Sequence, residues 1–274
     1  MTDLDRLSAL IPDGASLALA PDYSGCALEV VRRLIQRGVK RLHLIGVPQL
    51  GFQADLLIGA GAVDSVEAAA VTLGEAGPAP CFTRAVKAGR LVIKDSTCPV
   101  IHAGLQAAEK GIPFMPIRGV LGSDLLTHRP DWNVIDNPFG RSQHGGEDPI
   151  LLVPAIRPDV ALFHAALADR DGNIWIGVRR ELMMMAHAAK QTVVTVEKVA
   201  DCNLLDNDRD AAGTIPGLYI GAVEEMKKGA KPLGLRGCYG PDLAHLHSYA
   251  KAASTEEGFQ RYLEDSILNA AAPV

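Results

Sequence analysis

Short continuous apolar runs alternate with segments whose apolar positions recur at helical spacing. "SLALAP" reads as a strand, "ALEVVRRLIQRG" as a helix closed by glycine, "RLHLIGV" as a second strand and "QADLLIGAG" as a short helix. The order continues through "VDSVEAAAVT" (strand), "CFTRAVKAGR" (helix), "LVIKDS" (strand), "VIHAGLQAAEKG" (helix ending at Gly111) and "PFMPIRG" (strand). Strands buried on both faces lose the apolar/polar alternation of half-exposed ones. The βαβα order therefore predicts an α/β fold, an open and mostly parallel sheet with helices on both faces. In such sheets, ligands bind beyond the carboxyl ends of the strands.

The second half opens on "THRPDWNVIDNPFGRSQHGGEDP", polar and rich in Pro and Gly, which reads as a long excursion over the surface. "ILLVPAI", "VALFHAA", "NIWIG" and "QTVVTVEKV" then supply strands, with "ELMMMAHAAK" as an intervening helix. Within "PDVALFHAALADRDGNIWIG", the apolar run around Phe163 suits a buried strand and "DRDGN" a tight turn, since Asp and Asn bond their own backbone and Gly172 accepts positive φ. His164 is then either a satisfied core residue or part of a pocket at the strand end. The tail "LHSYAKAASTEEGFQRYLEDSIL" reads as two helices joined at "AST", capped by Ser254 or Thr255, with an apolar face that docks on the body. No repeat interrupts the pattern, and residues 1–274 are expected to form one domain.

Charge narrows the function classes. The chain carries a net charge of -5 with its Lys and Arg dispersed. Nucleic acid and anionic membrane are therefore poor partners. No apolar stretch reaches the length of a bilayer span, and "MTDLDRLSAL" begins with acids where a signal peptide carries basic residues, so a cytoplasmic location is expected. Cys26, Cys81, Cys98, Cys202 and Cys238 are widely spaced with no CxxC pair, the usage of free thiols in a reducing compartment.

Several stretches carry candidate chemistry. "GAGAVDSV" lacks GxGxxG spacing and follows a helix instead of a strand, which argues against a dinucleotide site and a nicotinamide-dependent dehydrogenase. "GVLGSDL" follows a strand and offers backbone amides at Gly122, the Ser123 hydroxyl and nearby Arg118 as a pocket loop. Glu75, among the glycines and prolines of "LGEAGPAP", is placed to project into a cleft, and Cys98 in "DSTCPV" stands between a strand and a helix. The methionines of "LMMMAH" read as core or interface filling. His43, His102, His164 and His187 share no metal-ligand spacing and no GxSxG elbow occurs, so zinc and serine hydrolases drop out. Local chemistry alone describes an α/β protein with an anion-friendly cleft.

The order and spacing of "DLLIGAGAVDSVEAA", "FTRAVKAGRLVIKDS", "GLQAAEKGIPFMPIRGVLGSDL", "VIDNPF", "VPAIRPDVALFHAALADRDGNIWIG", "TVVTVEKV", "CYGPD" and "YAKAASTEEGF" span nearly the whole chain. Together they resemble the α subunit of the family I CoA-transferases, which include related ring-cleaving CoA-thioester hydrolases. The resemblance implies a parallel sheet packed with helices, a β-subunit partner in an α2β2 or similar assembly, coenzyme A as substrate and no permanently bound cofactor. It places the catalytic glutamate on the β subunit, so this chain is expected to supply no catalytic residue, to be inactive alone and to expose an apolar face that the β subunit covers. His164 then supports the cleft. The expected substrate-binding residues are Cys98, Glu75, Arg118, Gly122, Ser123, Tyr23 and Ser24.

Two departures stand out against that family. The Gly-Gly-Phe turn that usually follows Asp13-Gly14 is replaced by Ala20, Pro21 and Asp22 in "APDYSG", and Cys98 occupies the place of the glutamate that acts in the ring-opening hydrolases. A thiol does not replace a carboxylate without changing the intermediate. Alternatives are a CoA-thioester or carbon–carbon hydrolase subunit of the same family, or a non-catalytic module binding an acid or CoA ester.

Overall fold

The computed structural model describes residues 3–140 and 146–269. In chain order, the first strands are β1 (Ser16–Leu19), β2 (Leu42–Gly46), β3 (Val63–Ala68), β4 (Val92–Asp95), β5 (Phe114–Ile117), β6 (Asn133–Asp136) and β7 (Pro149–Pro154). They are followed by β8 (Val160–Ala165), β9 (Leu167–Asp169), β10 (Ile174–Trp175), β11 (Gln191–Val196), β12 (Val199–Ala200), β13 (Thr214–Ile215) and β14 (Ala222–Glu225). The helices are α1 (Asp3–Ala9), α2 (Leu28–Arg37), α3 (Phe52–Gly59), α4 (Pro80–Lys87), α5 (Cys98–Glu109), α6 (Leu125–His128), α7 (Arg180–Ala188), α8 (Asp208–Ala211), α9 (Leu243–Ala252) and α10 (Glu256–Leu263).

A seven-stranded sheet in the order β14-β11-β8-β1-β2-β3-β4, parallel at every pairing, forms the centre. Alternate residues of its central strands enter different cores. Leu17, Leu19, Val160 and Leu162 pack with α2 and α3, whereas Ala18, Ala161, Phe163 and Ala165 pack with α5 and α7. Both faces are dry, which is why these strands read as unbroken apolar runs. Helix α2 stops at Gly38, whose φ of 73° lets its N–H reach the carbonyls of Leu34 and Ile35.

Two smaller sheets depart from the simple alternation. β5, β7 and β6 form an antiparallel sheet with β7 in the middle, so "PFMPIRG" and "ILLVPAI" leave the parallel sheet. Pro116 has no N–H for a ladder, and an edge strand such as β5 tolerates that. The stretch read as a surface excursion contains α6 and β6, with Val134 and Ile135 registered on Leu151 and Ile150; residues 141–145 of it lie outside the described residues. Short β12, β9, β10 and β13 make the third sheet, and "NIWIG" contributes only Ile174–Trp175 to it.

The two C-terminal helices dock as expected, with the Thr255 hydroxyl accepting from the Gly258 N–H at 3.1 Å. Tyr249 and Phe259 are fully buried, and Tyr249 meets Phe52 edge-on at 4.8 Å between ring centroids. Gly59 is required here, because a Cβ would stand 2.4 Å from Phe259 Cζ and 2.8 Å from Cys81 Sγ. Beneath the rings, Asp55 accepts from Tyr249 OH (2.7 Å) and from the N–H groups of Phe82 (2.8 Å) and Cys81 (3.3 Å) at the start of α4. Among the described residues, no helix is long and apolar enough to cross a membrane.

Candidate functional site

Two joined cavities lie beyond the carboxyl ends of β1, β2, β3 and β8. The larger has a volume of about 550 Å³ and takes its walls from three strand-end loops, at Asp22–Tyr23, Gln49–Gly51 and Thr72–Ala76, and from a strap between Leu233 and Leu246. The smaller, of about 200 Å³, lies between Tyr23, Ser24, Ala165, Ala166, Trp175, Ile176 and Leu182. Tyr23, Arg179, Leu235 and Arg236 line both and form the neck between them.

The loop after β1 is pinned by its unusual acid. Both Asp22 carboxylate oxygens accept from the Phe52 N–H at the start of α3 (2.9 and 3.0 Å). Gly51 makes this approach possible, because a Cβ there would lie 2.2 Å from Asp22 Oδ2. Burial raises the Asp22 carboxyl to about 7, although the Phe52 amide opposes that rise. Next along the loop, the buried Ser24 hydroxyl donates to Glu181 at the start of α7. The Tyr23 ring lies under the Arg179 guanidinium at 5.1 Å. Its phenol is raised first by burial, then by Glu181 against the lowering pull of Arg179, with a smaller upward push from Cys98.

Arg179 Nε at this neck is enclosed yet makes no hydrogen bond among the described residues. The same holds for Ser96 Oγ and Thr97 Oγ1 just before α5, His102 Nε2 on its first turns, Gln53 Oε1, Arg84 Nε and His187 Nε2, none of which lines either cavity. His102 is held below the usual imidazole range by burial, against an upward pull from Glu181. Buried polar groups in folded proteins are overwhelmingly paired, so the unpaired Arg179 Nε beside the cavities offers a donor to another molecule.

His164 is not among these orphans. Fully buried on β8, it contacts Thr195 Oγ1 through Nδ1 and Glu197 Oε1 through Nε2, both at 2.8 Å. Tyr239 OH donates to the same Glu197 oxygen (2.7 Å) and the Lys228 N–H to the other (2.8 Å). Burial holds His164 below its ordinary pKa, so it is a neutral brace between β8 and the strap. The "DRDGN" segment is a turn: Asp169 accepts from the N–H groups of Asp171, Asn173 and Leu204, and Gly172 has φ of 79°.

Of the residues named from the sequence, Tyr23, Ser24 and Glu75 line the cavities, Glu75 at the exposed rim of the larger one. Cys98 opens α5 as an exposed free thiol near the Tyr23 phenol. Arg118, Gly122 and Ser123 are not among the lining residues of either cavity. Arg118 forms a two-pronged pair with Asp148 (2.8 and 3.0 Å), the Ser123 hydroxyl donates to the Val120 carbonyl (2.7 Å), and Val120 and Gly122 turn the chain with positive φ. Sequence reasoning missed Arg179, Arg236, Glu181 and the anchoring by Asp22. The available signal for two of them was "GVRRE", charges placed directly after an apolar strand and a glycine.

Comparison with known proteins agrees with this geometry. The family model described as Coenzyme A transferase matches residues 2–225. An uncharacterized protein of Archaeoglobus fulgidus is 30% identical over 97% of this chain, which spans only 59% of that protein's length. The A subunit of glutaconate CoA-transferase from Acidaminococcus fermentans is 29% identical over 98% of this chain and 88% of its own. The crystal structure of glutaconate coenzyme A-transferase from that organism superposes with a TM-score of 0.87, at 27% identity, over 98% of this chain and 89% of the other. The cholesterol ring-cleaving hydrolase IpdA subunit of Mycobacterium tuberculosis is 29% identical over 96% of this chain and 91% of its own. With its parallel sheet, its strand-end cavities and a match over most of its length, the chain belongs to the coenzyme A transferase family.

Proposed function

We propose that this chain is the acyl-binding α subunit of a two-component CoA-transferase that moves CoA between a carboxylic acid and an acyl-CoA thioester. The observation that carries the proposal is the pair of joined, largely apolar cavities at the carboxyl ends of the sheet, within a fold shared with glutaconate CoA-transferase. In this reading residues 1–274 act as one unit, and Tyr23, Ser24 and Glu75 contact the acyl group, with Cys98 beside them. Arg118, Gly122 and Ser123 serve the outer surface, toward CoA or the partner.

The nucleophile is a glutamate of the partner subunit. Its carboxylate attacks the thioester carbonyl and expels CoA thiolate, leaving a mixed anhydride. The thiolate attacks the enzyme-side carbonyl, releasing the first acid and leaving an enzyme–CoA thioester. The second acid repeats the two steps in reverse. The α chain contributes by holding the acyl group so that its carbonyl lies at the mouth and water is excluded.

A partner is supported by surface composition. The β4 edge and the small antiparallel sheet expose Val92, Ile93, Phe114, Val134 and Ile135, and the loop after β6 exposes Phe139 at 96%. Apolar groups gathered on an open edge mark an interaction surface. The test is to purify the tagged chain from an extract of its native cells and assay CoA exchange with and without whatever copurifies. A stoichiometric partner with exchange activity, and none from the chain alone, is the expected result. Free CoA release that needs no acceptor acid would instead establish the hydrolase reading, and ligand binding by a lone chain without turnover the non-catalytic one.

A further inference from the structure

We infer that a third cavity, on the face of the main sheet that also carries α5, binds a small oxyanion that keeps a hydrogen at neutral pH, the chemistry of inorganic phosphate and bicarbonate. Such a site stands apart from the strand-end cavities and does not depend on the transferase reading. The cavity has a volume of about 250 Å³ and lies between β1–β4 and the chain flanking the small antiparallel sheet, with charged walls from His43, Glu67, Lys94, Arg129, Asp131 and Arg157. A covered face of a parallel sheet ordinarily presents apolar side chains. Here the row across β2, β3 and β4 reads Ile45, Glu67 and Lys94 in register, with His43 on the same face two residues before Ile45. The volume of about 250 Å³ falls below the roughly 300–1,000 Å³ usual for organic ligands, which points to an occupant of ionic size.

The charged groups divide into those already engaged and those left over. Arg129, buried over the Trp132 ring at 4.3 Å, donates to Glu67 Oε1 (2.7 Å), to both Asp131 carboxylate oxygens (2.7 and 2.9 Å) and to the Asp95 carbonyl (3.0 Å). It braces the wall. The other Glu67 oxygen stands 3.6 Å from His43 Nε2, beyond hydrogen-bond range, and His43 Nδ1 is engaged by the Ser65 hydroxyl at 2.7 Å. Burial raises the Glu67 carboxyl, but His43, Arg129 and Lys94 together hold it below its ordinary value, so it remains an ionised acceptor. Lys94 and Arg157 are exposed and in no ion pair among the described residues; the Arg157 guanidinium reaches the Ile112 carbonyl at 3.5 Å, and Lys94 acts on Glu67 and Asp131 only from further off. Two carboxylates therefore face three cations, and the walls carry one net positive charge before any on His43. Cations alone would take any anion. The free Glu67 oxygen beside them repels an oxyanion that only accepts and bonds one that also donates. Hydrogen phosphate and bicarbonate do both, whereas sulfate has acceptors only.

The test is isothermal titration calorimetry of the full chain with inorganic phosphate, bicarbonate, sulfate and glycerol 3-phosphate, the last a monoester that has largely lost its hydrogen at about pH 7.5. Wild type is expected to bind one phosphate or bicarbonate per chain at least about tenfold more tightly than sulfate or the monoester, and the tighter of the two names the source. Lys94→Ala and Arg157→Ala, both at exposed positions, should each weaken that binding by about fivefold or more. Arg170→Ala, which removes an exposed cation on the turn after β9, should leave it unchanged. Glu67→Gln, whose amide is able to donate, should bring sulfate to within about threefold of phosphate. Should that variant fail to fold, the sulfate comparison and the two exposed variants decide. Sulfate bound as tightly as both hydrogen-bearing anions, or no saturable binding below about 10 mM, would overturn the inference. So would binding that survives Lys94→Ala and Arg157→Ala but is lost in Arg236→Ala, which would place the anion in the strand-end cavities.

Discussion

Asp55 and Arg179 are both polar side chains set among apolar neighbours, and the fold treats them oppositely. Asp55 receives hydrogen bonds from Tyr249 and from the first amides of α4, which joins α3, α4 and the C-terminal helix α9. Arg179 receives ring stacking from Tyr23 and a 4.0 Å approach to Glu181, and nothing among the described residues bonds its donors. The first arrangement is what a packed interior demands, because each unpaired buried donor costs about 1–3 kcal/mol. The second tolerates that cost beside a cavity, where a ligand is able to remove it. For this pair of residues, satisfaction of the polar group, more than its burial or charge, separates architecture from site. His164 falls on the architectural side for the same reason, despite lining the inner cavity.

The largest effect is expected at the architectural cluster. Asp55→Ala leaves the Tyr249 hydroxyl and two amides without an acceptor and should cost about 3 kcal/mol or more in urea unfolding of the full chain. A loss below about 1 kcal/mol would mean that the aromatic packing alone holds the C-terminal helices, and the contrast with Arg179 would lose its first term.

A smaller, pH-dependent effect is expected at Asp22, which belongs to both categories because it anchors the loop and lines the larger cavity. Its carboxyl is raised from an ordinary 3.8 to about 7. Between these values the folded chain keeps a proton that the unfolded chain has released, so this stabilisation is fully present below the unfolded value and is lost as pH rises toward 7. From pH 5 to 8 the loss should be about 1–2 kcal/mol, moderated by the half-buried position of the residue. Asp22→Asn should flatten that slope, as read from Tm at the two pH values. Parallel trends in wild type and variant would show the carboxyl ionised throughout.

The smallest effect sharpens the comparison most. Arg179→Met removes an unsatisfied donor but also the cation–π contact with Tyr23, and these effects oppose one another, so the stability of the full chain should change by no more than about 0.5 kcal/mol. A loss above about 2 kcal/mol in urea unfolding would place Arg179 among the structural residues.

Local pattern made much of the fold legible. The unbroken runs of β1 and β8 announced strands wetted on neither face, Gly38 announced the end of α2, and the Ser254–Thr255 pair the start of α10, where the structure chose Thr255 as the cap. β6 was hidden because Val134 and Ile135 pair with β7 across an intervening stretch dense in Pro, Gly and charge. Tyr23 and Ser24 were reachable through the family-like loop they follow. Arg179 and Glu181 were not, since their meaning lies in what faces them: Tyr23, Ser24 and His102 come from strand ends and helices distant in sequence.

By itself, then, the sequence determined the alternation of strands and helices, the parallel sheet, the free thiols and the family, because periodicity, caps and ordered motifs are properties of neighbouring residues. Only the tertiary structure decided which polar groups are satisfied. Asp22 finds the Phe52 amide across Gly51, Asp55 finds Tyr249, and Arg179 finds no acceptor among the described residues. Each outcome depends on the distance between segments far apart along the chain, which only packing around the sheet establishes.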